Sequence, residues 1–149
     1  MTSTTVTRIR IETGSAPEFY DITENVRWAL ADSRVRDGLL CVFSVHTTAA
    51  VIVNEHEPLL IEDMKRFLRN IAPEDAYYAH NDFAIRTVNM TPDETANGHS
   101  HCAHLLLPSS ETIPIIDGEL ALGTWQSVFM VELDPRPRTR EVLISVYGS

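Results

Sequence analysis

The chain has 149 residues, of which 44% are hydrophobic and 22% are charged, and its net charge is −9. This length suffices for one compact domain with a sizeable core, so we predict a single domain over residues 1–149. The acidic balance excludes a broad nucleic-acid-binding surface, which needs dense Lys and Arg. There is no signal-peptide-like N-terminus and no bilayer-length apolar run, so we expect a soluble, cytoplasmic protein without a membrane partner.

The first third of the chain predicts two strands around a helix. Hydrophobic alternation over residues 6–13 indicates the first strand. A helix can begin at Asp21 or Thr23 and run to about Ser33. Its buried stripe comprises the apolar residues Ile22, Val26, Ala29 and Leu30. The apolar run over residues 39–45 then predicts a strand that is buried on both faces.

The next part of the chain predicts a strand, a second helix and a long loop. Alternation over residues 48–53 indicates a strand that follows the previous one so closely that a bend or hairpin must separate them. An amphipathic helix starts near Pro58, where the missing N–H costs nothing, and ends before Pro73. Residues 74–95 are polar and irregular, and a loop of this length is usually functional or mobile.

The C-terminal third of the sequence predicts short β segments separated by turns. These segments are predicted at residues 105–107, 112–116, 119–122, 128–133 and 142–147. Asp117-Gly118 is a strong hairpin signal between two of them. The order of elements predicts an α+β fold, with a mostly antiparallel, sandwich-like sheet and two main helices.

The window from His46 to Glu57 combines a histidine, two hydroxyls, an amide and carboxylates around an apolar β-branched run. Polar groups at the ends of a buried strand can be held rigidly, as a reactive site requires. A lone histidine at a strand end is more often structural. The neighbouring Thr47, Asn54 and Glu55 strengthen the functional interpretation of His46, because together they supply donors, acceptors and a charge.

A second polar cluster contains three histidines at positions 99, 101 and 104. If this segment is a strand, His99 and His101 share one face and His104 points to the other. We predict that His101 converges with His46, whereas His99 and His104 fit a polar loop better. The spacing matches no established zinc signature, so the metal signal from the cluster is weak.

Two further segments contain candidate site residues. In His80-Asn81-Asp82, the carboxylate could orient the imidazole and raise its basicity, although a solvated loop has the same composition. In Gly123-Thr124-Trp125-Gln126, the turn could present backbone N–H groups to an anion. Ser110 and the arginines of residues 136–140 could add phosphate donors.

The chain resembles the YjbQ-like family, whose members are often labelled secondary thiamine-phosphate synthase. The resemblance runs over nearly the whole chain and rests on a combination of short motifs. These motifs are His46-Thr47-Thr48-Ala49-Ala50, Asn54-Glu55, Asp63-Met64, His80-Asn81-Asp82, Ser100-His101, Ser110, Ile113-Pro114 and Gly123-Thr124-Trp125-Gln126. The resemblance implies an α+β fold around a twisted antiparallel sheet, assembled as a homotrimer with its polar motifs gathered in a pocket.

The resemblance also implies a function and a set of site residues. The reaction would join a pyrimidine diphosphate to a thiazole phosphate and release pyrophosphate. Catalysis is expected from His46, Glu55, His101 and Asp82, and substrate binding from Thr47, Asn54, Ser110, Thr124 and Gln126. A divalent metal, Mg or Zn, could be held by His46, His80 and His101.

Two alternatives use the same residues. The first is a metal-dependent phosphate-ester hydrolase. The second is a trimer that binds a small ligand or a metal and has no dedicated catalytic role. In all three interpretations the partner is a small ligand, either a phosphate-bearing molecule or a metal ion. Stoichiometric metal analysis together with a kinetic assay separates the three interpretations.

Overall fold

The computed structural model describes all residues 1–149 and contains eight strands, three α-helices and one 3-10 turn. The strands are β1 (Ser3–Glu12), β2 (Glu18–Asp21), β3 (Gly38–Ser44), β4 (Ala49–Glu55), β5 (Ser110–Ile116), β6 (Glu119–Leu120), β7 (Gln126–Glu132) and β8 (Thr139–Gly148). The helices are α1 (Thr23–Ser33), α2 (Pro58–Ile71) and α3 (Gly98–His104), and the 3-10 turn spans Ala79–Asn81. None of the helices has the length and apolarity needed to cross a membrane.

The strands form two sheets in which every neighbouring pair is antiparallel. The larger sheet has the order β1-β8-β3-β5-β6, and the smaller has the order β2-β7-β4. The predicted α+β class with antiparallel, sandwich-like sheets is therefore confirmed. The predicted hairpin at Asp117-Gly118 is also present, and both residues have the positive φ that such a turn requires, 54° and 83°.

The inner faces of the two sheets enclose the main core. Alternate residues of β8, which include Val142, Ile144 and Val146, meet the inner face of β7 at Val128 and Met130. Helix α1 completes this core with the predicted stripe of Ile22, Val26, Ala29 and Leu30, each of which is buried. At roughly 1.5–3 kcal/mol per buried side chain, this cluster is the main favourable contribution to folding.

A second, smaller core lies behind the three-stranded sheet. Phe129 and Val131 point away from the main core and pack with Leu68 of α2 and Ala103 of α3. The central strand β7 is therefore covered on both faces, and its run of apolar residues without alternation reflects this double burial. This layering places α3 against the end of the smaller sheet, beside the turn that follows β3.

Four sequence-based details differ from the structure. Residues 105–107 follow α3 as turns, because the histidine cluster is helical and ends in this segment. The four-residue strand β2 was not predicted, since its residues do not alternate clearly. Strand β3 is buried on one face only, with Leu39 and Phe43 exposed on the other. A short third helix, α3, accompanies the two main ones.

Candidate functional site

A pocket of about 460 Å³ lies where the turn between β3 and β4 meets α3, the loop after α2 and the start of β8. Its lining is almost entirely polar. It includes His46, Thr47 and Thr48 from the turn, His80, Arg86, Asn89, Glu94 and Asn97 from the loop, His101 from α3, and Arg138 and Arg140. Three histidines and three arginines therefore face one volume, which falls in the size range of small-molecule sites.

His46 is fixed by a backbone hydrogen bond. The N–H of Glu141 donates to His46 Nε2 at 2.9 Å, so this nitrogen carries no proton and the neutral ring carries its hydrogen on Nδ1. Burial, and then the nearby Arg140 guanidinium, lower the pKa of His46 below its ordinary value. His46 is therefore a neutral hydrogen-bond donor at pH 7 through Nδ1.

His80 and His101 form a close pair across the pocket. Their ring centroids lie 4.7 Å apart in an edge-to-face arrangement, and His80 Nε2 is buried without a hydrogen-bond partner. Burial, and then the charge of His80, lower the pKa of His101. A neutral His101 can accept a proton at pH 7, which is the property required of a general base.

The three arginines are each held by a carboxylate. Arg140 is 5% exposed and contacts the fully buried Glu132 through two nitrogens, Nε at 2.7 Å and Nη2 at 2.5 Å. Arg140 Nη2 also donates to Thr48 Oγ1 at 2.8 Å. The planar fork of a guanidinium held in this way has little freedom left to lose when a ligand binds.

Arg138 and Asn97 share a second buried carboxylate. Arg138 Nη2 donates to Asp134 Oδ2 at 2.9 Å, and Asn97 Nδ2 donates to the same oxygen at 3.0 Å. Burial would raise the pKa of Asp134, but the hydrogen bonds from Arg138 and Asn97 lower it below its ordinary value. Arg138 Nε is buried with no partner, so this arginine retains an unused donor.

Arg86 closes the pocket from the loop. It donates to Glu94 Oε1 at 2.7 Å and to the carbonyl oxygens of His80, Val88 and Asn89. Hydrogen bonds from the Thr91 backbone N–H and from Arg86 lower the pKa of Glu94 to about 2. Since every arginine faces a carboxylate, the pocket is close to neutral, and its affinity for an anion must come from directed donors.

The structure brings only part of the predicted set into this pocket. His46, Thr47, His80 and His101 line it, whereas His104 does not. Within one chain, the side chains of His, Cys, Asp and Glu form no group of three that could hold a metal ion. Asp82 is near in sequence, but its carboxylate accepts from the backbone of Ala84 and is not part of the lining.

The other predicted residues lie elsewhere on the chain. Glu55 pairs in register with Gln126 at the far end of β4, and Asn54 precedes it. With a rise of about 3.3 Å per residue, this end of the strand is roughly 20 Å from the pocket. Gln126 Oε1 accepts from the Gly123 N–H, next to the exposed Thr124. Ser110 begins β5, and Asp63 forms an ion pair with Arg66 on α2.

Three lining residues with side-chain donors, Arg86, Asn89 and Asn97, were not predicted, whereas Arg138 and Arg140 were predicted only as possible phosphate donors. Arg86 and Asn97 lie in a loop without a periodic pattern, which gives no signal in the sequence. Arg138 and Arg140 carried a signal, because Arg140 shares the parity of Val142 and Ile144, the buried face of β8. A charged residue on a buried strand face requires a partner of opposite charge. Glu132 is such a partner, because it also lies on a buried strand face, that of β7.

The comparisons with known proteins agree over nearly the whole chain. Residues 7–149 match the family model described as UPF0047 protein YjbQ-like. The chain is similar to a UPF0047 protein of Methanothermobacter thermautotrophicus, with 41% identity over 93% of this chain and 88% of that protein. It is 28% identical to the YjbQ protein of Escherichia coli O157:H7 over 87% of this chain and 88% of that protein.

Solved structures show the same fold. A YbjQ-like protein of unknown function from Sulfolobus solfataricus superimposes with a TM-score of 0.89 and 28% identity, and all of both chains is covered. A hypothetical protein from Aeropyrum pernix superimposes with a TM-score of 0.85 and 33% identity over 97% of this chain and 99% of that one.

Proposed function

The chain belongs to the YjbQ-like UPF0047 family, and from this premise we propose that it is an enzyme whose pocket binds the phosphate group of a small-molecule substrate. The observation that supports this proposal is the convergence of Arg86, Arg138 and Arg140 with three histidines on one pocket. Because the protein as a whole is acidic, this local concentration of hydrogen-bond donors is consistent with an anion-binding role for the pocket. Guanidinium groups match phosphate oxygens in geometry and charge.

The unpaired donors of the pocket support an anionic ligand. Arg138 Nε and His80 Nε2 are both buried without a partner, and a buried polar group left unpaired costs about 1–3 kcal/mol. Phosphate oxygens would accept from such groups and from His46 Nδ1. Each hydrogen bond to a charged group contributes about 1.5–3 kcal/mol, so a few converging donors suffice for binding without net positive charge.

For the reaction, we propose the transfer that the family resemblance implies. The thiazole nitrogen attacks the saturated carbon that joins the pyrimidine ring to its diphosphate, the C–O bond at that carbon breaks, and its electron pair leaves with pyrophosphate. Arg138 and Arg140 would stabilise the charge on the leaving diphosphate, and His80 would donate a hydrogen bond to it. The predicted residues Glu55, Asp82, Asn54, Ser110, Thr124 and Gln126 would contribute to this reaction only if another subunit or a movement brings them near.

Hydrolysis of a phosphate ester is the second candidate. Its support is the position of His101 in the pocket lining against His80, where burial lowers the pKa of His101 and the neutral ring can accept a proton from water. The divalent-metal proposal for His46, His80 and His101 receives no support from one chain, because no three such ligands converge and His46 Nε2 already accepts a hydrogen bond. The proposed transfer therefore depends on side-chain donors of this chain alone.

Calorimetric titration with phosphate, sulfate and pyrophosphate tests the binding step, each with and without Mg²⁺ or Zn²⁺. We expect the Arg138→Gln variant to bind pyrophosphate at least tenfold more weakly than the unmodified protein. Arg136→Gln is the matched control, because Arg136 is two residues away but pairs with Asp93 outside the pocket. If no anion binds, or if the two variants behave alike, the pocket assignment is wrong.

An assay of pyrophosphate release tests the reaction. We expect His101→Asn, which removes the ring that packs against His80, to lose most of the activity and His104→Asn, on the same helix but outside the pocket, to retain it. Release of inorganic phosphate from a simple phosphate ester, without transfer, would favour the hydrolase. Anion binding without either activity would favour a binding protein.

A further inference from the structure

A second pocket, of about 420 Å³, lies on the other side of α3 from the histidine–arginine pocket. Its apolar wall consists of Leu68, Ala72, Ala103 and Leu133, which are the buried edge of the smaller core. The two pockets share no lining residue. The proposed phosphate chemistry therefore makes no use of this second volume.

The polar groups of the second pocket are few and defined. The Ser100 hydroxyl donates to the Leu133 carbonyl oxygen at 2.5 Å, so its hydrogen is committed. In the 3.4 Å contact between Ser100 Oγ and His99 Nε2, the imidazole must therefore be the donor. His99 Nδ1 is then an acceptor, and it is buried with no partner.

The rim of the pocket carries charges of both signs. Arg69, Glu74 and Asp75 surround the opening and are exposed. Two carboxylates against one guanidinium do not favour an anion, in contrast to the first pocket. A concave apolar volume with one unsatisfied acceptor and a slightly acidic rim fits a neutral or weakly basic ring compound.

We infer that this second pocket is a binding site for a flat, apolar heterocycle with one N–H donor, which pairs with His99 Nδ1. The ring would contact Leu68, Ala103 and Leu133, and its N–H would satisfy His99 Nδ1, the one buried side-chain acceptor among the lining residues that lacks a partner. The inference is independent of the phosphate-binding proposal, because it uses different residues.

A pair of isosteric probes tests the donor requirement. Indole has the N–H and benzofuran, of nearly the same shape, lacks it. Both are titrated into the full-length protein while backbone amide chemical shifts are followed by NMR. We expect indole to shift the amides of Leu68, Ala72, His99 and Ala103 and to bind about tenfold more tightly than benzofuran, the factor of one hydrogen bond.

Two variants locate the site. Ala103→Leu fills the pocket and should abolish indole binding. His99→Leu should remove the preference for indole over benzofuran, and this second variant tests the inference independently if Ala103→Leu does not fold. Trp28→Gln, on the exposed surface of α1, should leave indole affinity unchanged. Equal affinities of the two rings for the unmodified protein would overturn the inference, as would no shift at the pocket amides or indole binding retained by a folded Ala103→Leu variant.

Discussion

Arg140 illustrates how a single residue links stability to the proposed site. Its guanidinium is buried against Glu132, and Thr13 Oγ1 also donates to that carboxylate at 2.8 Å. Burying two charges is expensive, and only good geometry with all hydrogen bonds made offsets the cost. The pair therefore holds one pocket donor in place, at a cost that an apolar pair would avoid.

Replacing Glu132 with Gln should destabilise the protein by about 3 kcal/mol, because Arg140 would keep its buried charge without a counter-charge. Urea unfolding measures the change in the free energy of unfolding. Glu141→Gln, on a half-exposed carboxylate nine residues later, is the control and should change it little. A small effect for Glu132→Gln would mean that water reaches Arg140.

The lowered pKa values of three histidines predict how the free energy of unfolding depends on pH. Burial lowers the folded-state pKa of His46, His101 and His104 below the ordinary 6.5. The unfolded chain then binds protons at a higher pH than the folded protein. The free energy of unfolding is therefore highest above pH 6.5 and decreases as the pH falls below that value. The carboxylates with lowered pKa lose their contribution only near pH 4, outside this window.

We expect urea unfolding to give a lower free energy at pH 5.5 than at pH 7.5, by up to about 1.4 kcal/mol per pH unit and histidine. The comparison needs a buffer without phosphate and a constant protein concentration. His46→Asn should make the dependence shallower. Equal stability at both pH values would show that these rings take up protons freely in the folded protein.

At the scale of elements, Gly98 determines how closely α3 approaches the loop that carries His80. A Cβ atom at Gly98 would lie 2.6 Å from Tyr78 Cβ, and the Gly98 N–H donates to Asn81 Oδ1 at 2.8 Å. Glycine is thus required by packing at this position rather than by its φ. The contact sets the distance between the two histidines of the pocket pair.

Gly98→Ala should destabilise the protein by about 1–3 kcal/mol, the usual cost of overpacking, and should weaken pyrophosphate binding by separating His80 from His101. Gly14→Ala is the matched control, because no atom lies within 4 Å of its added Cβ. Unfolding and calorimetry measure the two effects. Unchanged binding in Gly98→Ala would show that the loop adjusts without moving the histidine.

The same element shows where sequence patterns stop being informative. The stripe of α1, the helix start at Pro58 and the Asp117-Gly118 turn depend on local spacing, so they could be predicted. Residues 98–104 contain glycine, serine and histidines, which carry no clear periodicity, and tertiary packing of Ser100 and Ala103 makes them helical. The convergence of His46 with His101 was predicted from strand geometry and from the motif match together, and the strand geometry was wrong because the cluster is helical.

At the scale of the whole molecule, the outer face of the five-stranded sheet carries exposed apolar side chains on its central strands β3 and β8. Leu39, Phe43 and Tyr147 are 51%, 42% and 54% exposed. They lie on adjacent strands, since Leu39 pairs with Tyr147 and Phe43 with Leu143. A contiguous patch of this kind usually marks a protein interface, and the family resemblance implies a homotrimer.

We expect sedimentation equilibrium to give a trimer for the unmodified protein and a smaller species for Phe43→Glu, which places a charge in the patch. Trp28→Gln is the control, because Trp28 is also an exposed aromatic residue but lies on α1, away from that face. A monomer mass for the unmodified protein at all concentrations would contradict the trimer. A trimer that survives Phe43→Glu would place the interface on another surface.

The loop between α2 and α3 has one more consequence. It supplies five of the pocket residues, and it contains exposed apolar side chains such as Ile85 and Val88 beside Arg86. A bound anion would connect this loop to the turn between β3 and β4 and to β8. Local opening of the loop, which a protease needs in order to cleave its backbone, would then become less frequent. Trypsin, which cleaves after arginine, should therefore cut at Arg86 more slowly as pyrophosphate is added, and the cleavage rate then reports the fraction of pockets that are occupied.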